Sequence, residues 1–511
     1  APVMAGVALV SALQLVAAAE LAVEVGDVIG KVNPRYASWT IDASYNRGFV
    51  HIDFENANLL AAATSLAPST LRFGGGGNDY LQYAPFAPCT SHNDSDQFVC
   101  LNTTHWNALY TMAAKADADF LFGIAFDMVK ACDLEEEYEW SAAPAIAMIK
   151  YIQSQKQQIW GFELGNEVNN RAKSCKLQPG QQAAAFKAFA TALEALYPDP
   201  ATRPKLLGPD IGYLNPQVWL TGFLGNFSAL HAVTYHVYSW LTKRNYNYTM
   251  PIDNALRDGE GWYPGLVHRM APGAEVWAGE DGPISGGEDG TCQGFFPNGT
   301  STDRSVCGTY ATVPWYANDL GLRATLGFQQ YQRQDLAGGR YGLLGLAHDS
   351  ESLLGKGDPV RINPDFWVNF LWKRVMGSTV YNATAAGNGD ASLRVYAHCG
   401  TPPSPHAPLP IAAATNPMGL VVININSSVP RAVTLPRTET WTVWTLEAAD
   451  GDVFGETSSL NGMALPRSIS DGAPIAGIPA SGIEHRGADS LKLPPFSVTF
   501  AAATVCTAGW Q

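Results

Sequence analysis

From about residue 35 to 372, short β-rich runs alternate with longer stretches of helical spacing, and no other feature constrains the fold as much. A strand that leads through a helix to the next parallel strand needs a crossover, so repeated βα units build a parallel sheet with helices outside it. Candidate strands lie at 36–41, 70–73, 119–124, 159–164, 205–208, 232–235, 275–278 and 341–344. Eight such strands predict an α/β fold, a closed (β/α)8 TIM barrel. Between them, the stretch 181–197 repeats Ala185, Phe189, Ala192 and Leu196 at three- and four-residue spacing, a face expected to pack on the sheet.

After Met376 the helical spacing ends and short alternating runs follow at 392–397, 420–425, 432–435, 440–446 and 497–501, with turns and a Pro-rich loop (401–417) between them. This texture predicts an appended C-terminal β-sandwich over 375–511, behind a catalytic barrel at 35–374. The run 21–25, within 20–34, is expected to add a strand to that sandwich. Residues 4–19 are apolar and end in Ala17-Ala18-Ala19, like a signal segment over 1–19, although no positive charge precedes the apolar run. No other stretch is long and apolar enough for a transmembrane span.

The net charge of −14, with no polybasic block to offset it, argues against nucleic acid and anionic membranes as partners. The 8 cysteines include no Cys-x-x-Cys pair, so disulfides in sequential order are expected rather than zinc. Sequons at Asn93, Asn102, Asn226, Asn247, Asn298, Asn382 and Asn426 fit the same oxidising, secreted or lysosome-like setting. No metal or cofactor is implied: there is no His-Glu-x-x-His helix, no Gly-x-Ser-x-Gly elbow, and residues 74–77 lack the Gly-Lys-Ser/Thr of a phosphate loop.

Two glutamates sit just past apolar runs: Glu167, after the run at 159–164, and Glu280, after the run at 275–278. In a parallel barrel such positions fall at the C-terminal mouth, three βα units apart and so facing each other. Two carboxylates converging on one glycosidic bond can perform its hydrolysis: one protonates the departing oxygen and the other attacks the anomeric carbon. Asn166, directly before Glu167, is placed to donate to a sugar hydroxyl.

Several segments together resemble glycoside hydrolase family 79, the family of heparanase and the β-glucuronidases. They are Thr40-Ile41-Asp42-Ala43, Leu71-Arg72-Phe73-Gly74-Gly75, the stretch 163–169, Val233-Thr234-Tyr235-His236-Val237-Tyr238, Gly279-Glu280 and Asp365-Phe366-Trp367. The resemblance implies Glu167 as acid/base and Glu280 as nucleophile, with Asn166 at the neighbouring sugar hydroxyl. It also implies Asp42 at the hydroxyls of a glucuronic acid, and His236 and Tyr238 at the end of the sixth strand. Gln334, in the dipeptide Arg333-Gln334, matches a family residue ahead of Tyr341. Tyr341 and the segment Ser285, Gly286 and Gly287 match the group that grips the sugar carboxylate. A phenol and backbone N–H groups in a Gly-Gly turn can bind an anion without a permanent cation.

There are departures. Val168 stands where the wider clan often has proline, and Gly76 replaces a hydroxyl residue, so its contact with the sugar is lost or made by backbone. The region 86–107 is too short for an excised linker, and the chain is acidic where a heparan-cleaving enzyme would carry basic rims. The expected function is therefore a retaining exo-β-glucuronidase that removes terminal glucuronic acid or its 4-O-methyl form, as a monomer. The alternatives are an endo-β-glucuronidase acting on hyaluronan or heparan-like chains and, in another class, a non-catalytic carbohydrate-binding barrel.

Overall fold

A computed structural model of the chain describes residues 21–43, 49, 52–83, 99–133, 138–239, 241, 261–284, 306–338, 341–345, 354–386, 392–405, 416–436, 440–475, 482–487 and 489–506. Parallel strands close into a barrel: β1 (Ala37–Asp42), β2 (Ser69–Gly74), β3 (Ala118–Ile124), β4 (Gly161–Leu164), β5 (Lys205–Ile211), β6 (Ala232–Tyr238), β7 (Glu275–Gly282) and β8 (Gln330–Arg333). Every residue of β1, β2, β4 and β8 is buried, as a sheet covered by helices requires.

The expected eighth strand at 341–344 is corrected. The barrel is closed by Gln330–Arg333, which pairs with β1, whereas Leu344–Gly345 pairs antiparallel with Val360–Ile362 in a small separate sheet. The closing strand reads Gln-Tyr-Gln-Arg, so it gives no apolar run to find. Two of its polar side chains, Gln330 and Arg333, are anchored internally by hydrogen bonds, whereas the buried Gln332 amide has no hydrogen-bond partner among the described residues. Gln330 Nε2 donates to Arg35 O, Ser38 Oγ and Thr70 Oγ1 at 2.9, 2.9 and 3.2 Å. Arg333 Nη2 donates to Asp365 Oδ2 and Tyr341 O at 2.7 and 2.6 Å.

The helix Pro179–Leu196 occupies the expected 181–197 stretch. Its inward stripe runs through Gln182, Phe186, Phe189 and Leu193, with Ala185 also buried, whereas Ala192 and Leu196 sit half-buried at its edge. A glutamine is tolerated inside because its amide donates to Pro209 O and accepts from Trp219 Nε1, at 2.9 and 2.7 Å.

The second unit is one continuous 11-stranded sheet. Leu21–Lys31 lies within it, antiparallel to Thr379–Ala386 and parallel to Arg431–Thr434. Trp441 and Val443 share a core with Leu491 and Leu493, although their strands are far apart in the sheet order, so the sheet folds over on itself as a sandwich. The opposite face, with Val421, Ile423, Val498 and Phe500, joins the barrel's core. Helix Thr312–Leu326, buried from residue 312 to 324, packs against the sheet there, so the two units share one interior.

Cys132–Cys175 and Cys399–Cys506 form two of the sequential disulfides. Cys100 and Cys307 are also bridged, while Cys89 and Cys292 fall outside the described residues. Among the described residues no helix is long and apolar enough to cross a membrane.

Candidate active site

Strand ends bring the site together. Side chains two residues apart on a strand share a face, so Thr234, His236 and Tyr238 of β6 point the same way. Glu280 of β7 pairs in register with His236. Gly279 allows this close packing, because a Cβ there would lie 2.9 Å from Thr234 Cβ. Glu167 lies in the loop after β4 with φ 51°, its backbone N donating to Asp210 O at 2.8 Å. The left-handed backbone is unfavourable for a glutamate, and the surrounding bonds hold it.

Arg72 of β2 organises the carboxylates. Fully buried, it donates through Nε to Glu163 Oε2 (2.7 Å), through Nη1 to Glu280 Oε2 (2.9 Å), and through Nη2 to Asp210 Oδ2 (2.5 Å) and Asn166 Oδ1 (3.1 Å). A buried guanidinium needs such partners, since an unpaired one would lose its hydration without return. His236 is the second cation. Burial disfavours its charged form, but Asp210 and Glu280 outweigh burial and hold the imidazole well above its ordinary range. Its Nε2 meets Asp210 Oδ1 at 2.5 Å and its Nδ1 meets Glu167 Oε1 at 3.0 Å. Burial and the charge of Asp210 push Glu163 up to about 7 despite Arg72. Asp210 itself is held low: burial raises it, but Arg72 and His236 prevail. Glu163 therefore exchanges its proton near neutral pH, while Asp210 is held ionised between the two cations.

The two catalytic candidates have different surroundings. Glu280, 5% exposed, is held from both sides, by Arg72 at Oε2 and by the Tyr238 hydroxyl donating to Oε1. Glu167 is not bonded to Arg72, and its side chain is 25% exposed. It accepts from His236 and, at 2.6 Å, from Asn170 Nδ2. An oxygen of each carboxylate lies within 4.8 Å of the other and of a His236 nitrogen. A metal ion could use that spacing, but here both ring nitrogens of His236 are engaged by Asp210 and Glu167.

The other expected site residues fall around this pair. Asp42, at the end of β1, accepts from Gln334 Nε2 at 2.9 Å, and Gln334 in turn accepts from the Thr40 hydroxyl. Gly75 (φ 123°) follows β2, and a Cβ there would sit 2.7 Å from Asp42 Oδ1. Gly76 is exposed, with open space where a Cβ would be, so nothing prevents a side chain at that position. Tyr341 is buried with its ring 6.4 Å from that of Tyr238. Asn166 has its Oδ1 committed to Arg72, so its NH2 is the end left for a sugar. Ser285, Gly286 and Gly287 lie outside the described residues.

Five residues with no role expected from sequence belong to the site: Arg72, Glu163, Asp210, Asn170 and Asp79. Asp79 is buried and accepts from Phe126 N and Asn166 N at 2.9 and 3.1 Å, fixing the backbone just before Glu167. Burial pushes its carboxyl up to about 7 against these two bonds. A signal existed for Arg72 and Glu163, because a charge inside a buried strand run calls for an opposite charge nearby.

A parallel eight-stranded barrel with two carboxylates facing each other across its C-terminal mouth is the architecture of a glycoside hydrolase. The model of Glycosyl hydrolase family 79, N-terminal domain, matches residues 30–321, and the chain belongs to that family. It is 27% identical over 390 residues to the baicalin-β-D-glucuronidase of Scutellaria baicalensis, covering 69% of this chain and 67% of that protein. It is 25% identical over 427 residues to the heparanase of Bos taurus, covering 72% and 71%. Among solved structures, a 4-O-α-L-rhamnosyl-β-D-glucuronidase from Fusarium oxysporum superposes with a TM-score of 0.62 at 10% identity, over 94% of this chain and 100% of that one. An α-L-arabinofuranosidase from Thermotoga maritima gives 0.61 at 11% identity, over 95% and 100%. These two likenesses show a shared fold.

Proposed function

We propose that the chain is a retaining, exo-acting β-glucuronidase. The observation that carries this reading is the asymmetry of the pair. Glu280 is buried, braced by a cation and a phenol, and suited to attack. Glu167 is partly open to solvent and suited to exchange protons with a leaving group and then with water. In the first step Glu280 attacks the anomeric carbon while the acid form of Glu167 protonates the glycosidic oxygen. His236 N–H and the Asn170 amide then receive the carboxylate left on Glu167. In the second step Glu167 takes a proton from water, which displaces Glu280 from the ester. The approach of the two carboxylates, with oxygens within 4.8 Å, supports retention, for which carboxyl separations of about 5–5.5 Å are usual.

Glucuronic acid as the sugar is supported by the family and by the printed activity of the Scutellaria relative. Asp42 and Asn166 are assigned to its hydroxyls, and Tyr341 with Ser285, Gly286 and Gly287 to its carboxylate. A secretory route, with its oxidising folding environment, is part of the reading and is supported by the two bridges. An aryl β-glucuronide, the matching aryl β-glucoside and a polymeric glucuronan test it together. Cleavage of the glucuronide alone is expected. Cleavage of only the glucoside would remove the assigned carboxylate grip, and early release of large fragments from the polymer would favour endo action.

A further inference from the structure

We infer that Tyr213 and Leu214 form the leaving-group side of this site and select glycosides whose aglycone presents a flat, apolar aromatic face. The inference rests on the glucuronidase reading and adds the class of aglycone to it. The acid/base must touch the glycosidic oxygen, so whatever hangs from that oxygen lies on the open side of Glu167. The loop after β5 is tied to that side. Asn170 Nδ2 donates to Glu167 Oε2 at 2.6 Å while its Oδ1 accepts from Leu214 N at 2.9 Å. One amide group thus joins the loop to the acid, placing Leu214 N within about 8 Å of Glu167 Oε2.

The neighbouring Asn169 fixes the same loop at two further points. Its Nδ2 donates to Gly212 O and Leu214 O at 2.9 and 2.7 Å, and its Oδ1 accepts from Gly212 N at 2.8 Å. The backbone on either side of Tyr213 is therefore held rigidly while the side chains face water. Tyr213 is 67% exposed and Leu214 42%, and Val218 on the following helix Pro216–Leu224 is 74% exposed. Single exposed apolar residues are ordinary, but three within six positions, on a loop bonded to the acid/base, are not explained by packing. Tyr213 is the one aromatic among the exposed large hydrophobics of the described residues. A ring held this way loses little entropy on stacking and prefers another π-face. An anionic sugar chain is the rival occupant, and Arg171, Lys173 and Lys176, exposed on the loop after Glu167, would be its contacts.

The test measures kcat/KM for 2-naphthyl β-glucuronide, methyl β-glucuronide and a glucuronate-capped anionic oligosaccharide, using the wild type, Tyr213→Ala and Tyr213→Phe. In Tyr213→Ala the naphthyl-to-methyl ratio is expected to fall about tenfold, chiefly through KM. Tyr213→Phe is expected to keep the wild-type ratio, and both variants an unchanged thermal midpoint. A ratio altered less than twofold in Tyr213→Ala overturns the inference, as does a wild type that prefers the oligosaccharide and loses that preference in Arg171→Ala. A wild type inactive on every glucuronide overturns the glucuronidase reading itself, and this inference with it.

Discussion

Tyr238→Phe isolates one atom of the proposed nucleophile's support. The phenol donates to Glu280 Oε1, while Arg72 holds Oε2. Phenylalanine keeps the ring and its edge contact with Tyr341, so packing should survive. Charge decides which step suffers. Glu280 is an anion in the free enzyme, is neutralised in the glycosyl ester, and regains its charge when water breaks that ester. A donor to Oε1 therefore helps the departure of Glu280 more than its attack. A hydrogen bond to a charged group is worth about 1.5–3 kcal/mol, or roughly a 10- to 150-fold change in the rate of the second step. With an aryl glucuronide bearing a good leaving group, kcat is expected to fall by that factor and KM to fall with it, so that kcat/KM changes much less. Stopped-flow release of the phenol should show a burst matching the enzyme concentration. A KM that rises at constant kcat, or a loss of kcat/KM equal to that of kcat with no burst, would refute this division of roles.

Three further outcomes follow from the structure. Glu167→Gln should slow hydrolysis of alkyl glucuronides by about a thousandfold while sparing the first step for reactive aryl leaving groups, with azide restoring turnover as the β-azide, identifiable by NMR; an α-azide would contradict the assignment. Asp79 titrates at about 7 in the fold, above its unfolded value, so the folded state holds a proton that the unfolded chain has released between about pH 4 and 7. Stability from this group accordingly falls as pH rises through that window, and Asp79→Asn should flatten the pH dependence of the thermal midpoint there; an unchanged slope would reject the assignment. Removing the Cys399–Cys506 bridge, which closes a 107-residue separation, should cost about 2–5 kcal/mol, read by calorimetry as a lower midpoint.

Seven barrel strands were legible because each carries an apolar run, whereas Gln330–Arg333 was not, because its burial is achieved by hydrogen bonds that no local pattern announces. The same limit applied to the site. Glu167 and Glu280 stood out by their place after apolar runs, whereas His236 and Tyr238 were reached only through the family resemblance. Arg72, Glu163 and Asp210 come from three different strands, and only closure of the barrel brings them within bonding distance. Asn170 was hidden for a different reason: its role depends on the left-handed backbone at Glu167, which turns the following residues back toward the carboxylate.

The division of labour between the two glutamates is tested most directly by trapping the covalent intermediate. Incubation with a 2-deoxy-2-fluoro-β-glucuronyl fluoride, followed by proteolysis and peptide mass mapping, should place one fluoroglucuronyl ester on Glu280 and none on Glu167. An ester on Glu167, or rapid turnover of this reagent to an inverted product with no adduct, would contradict the account.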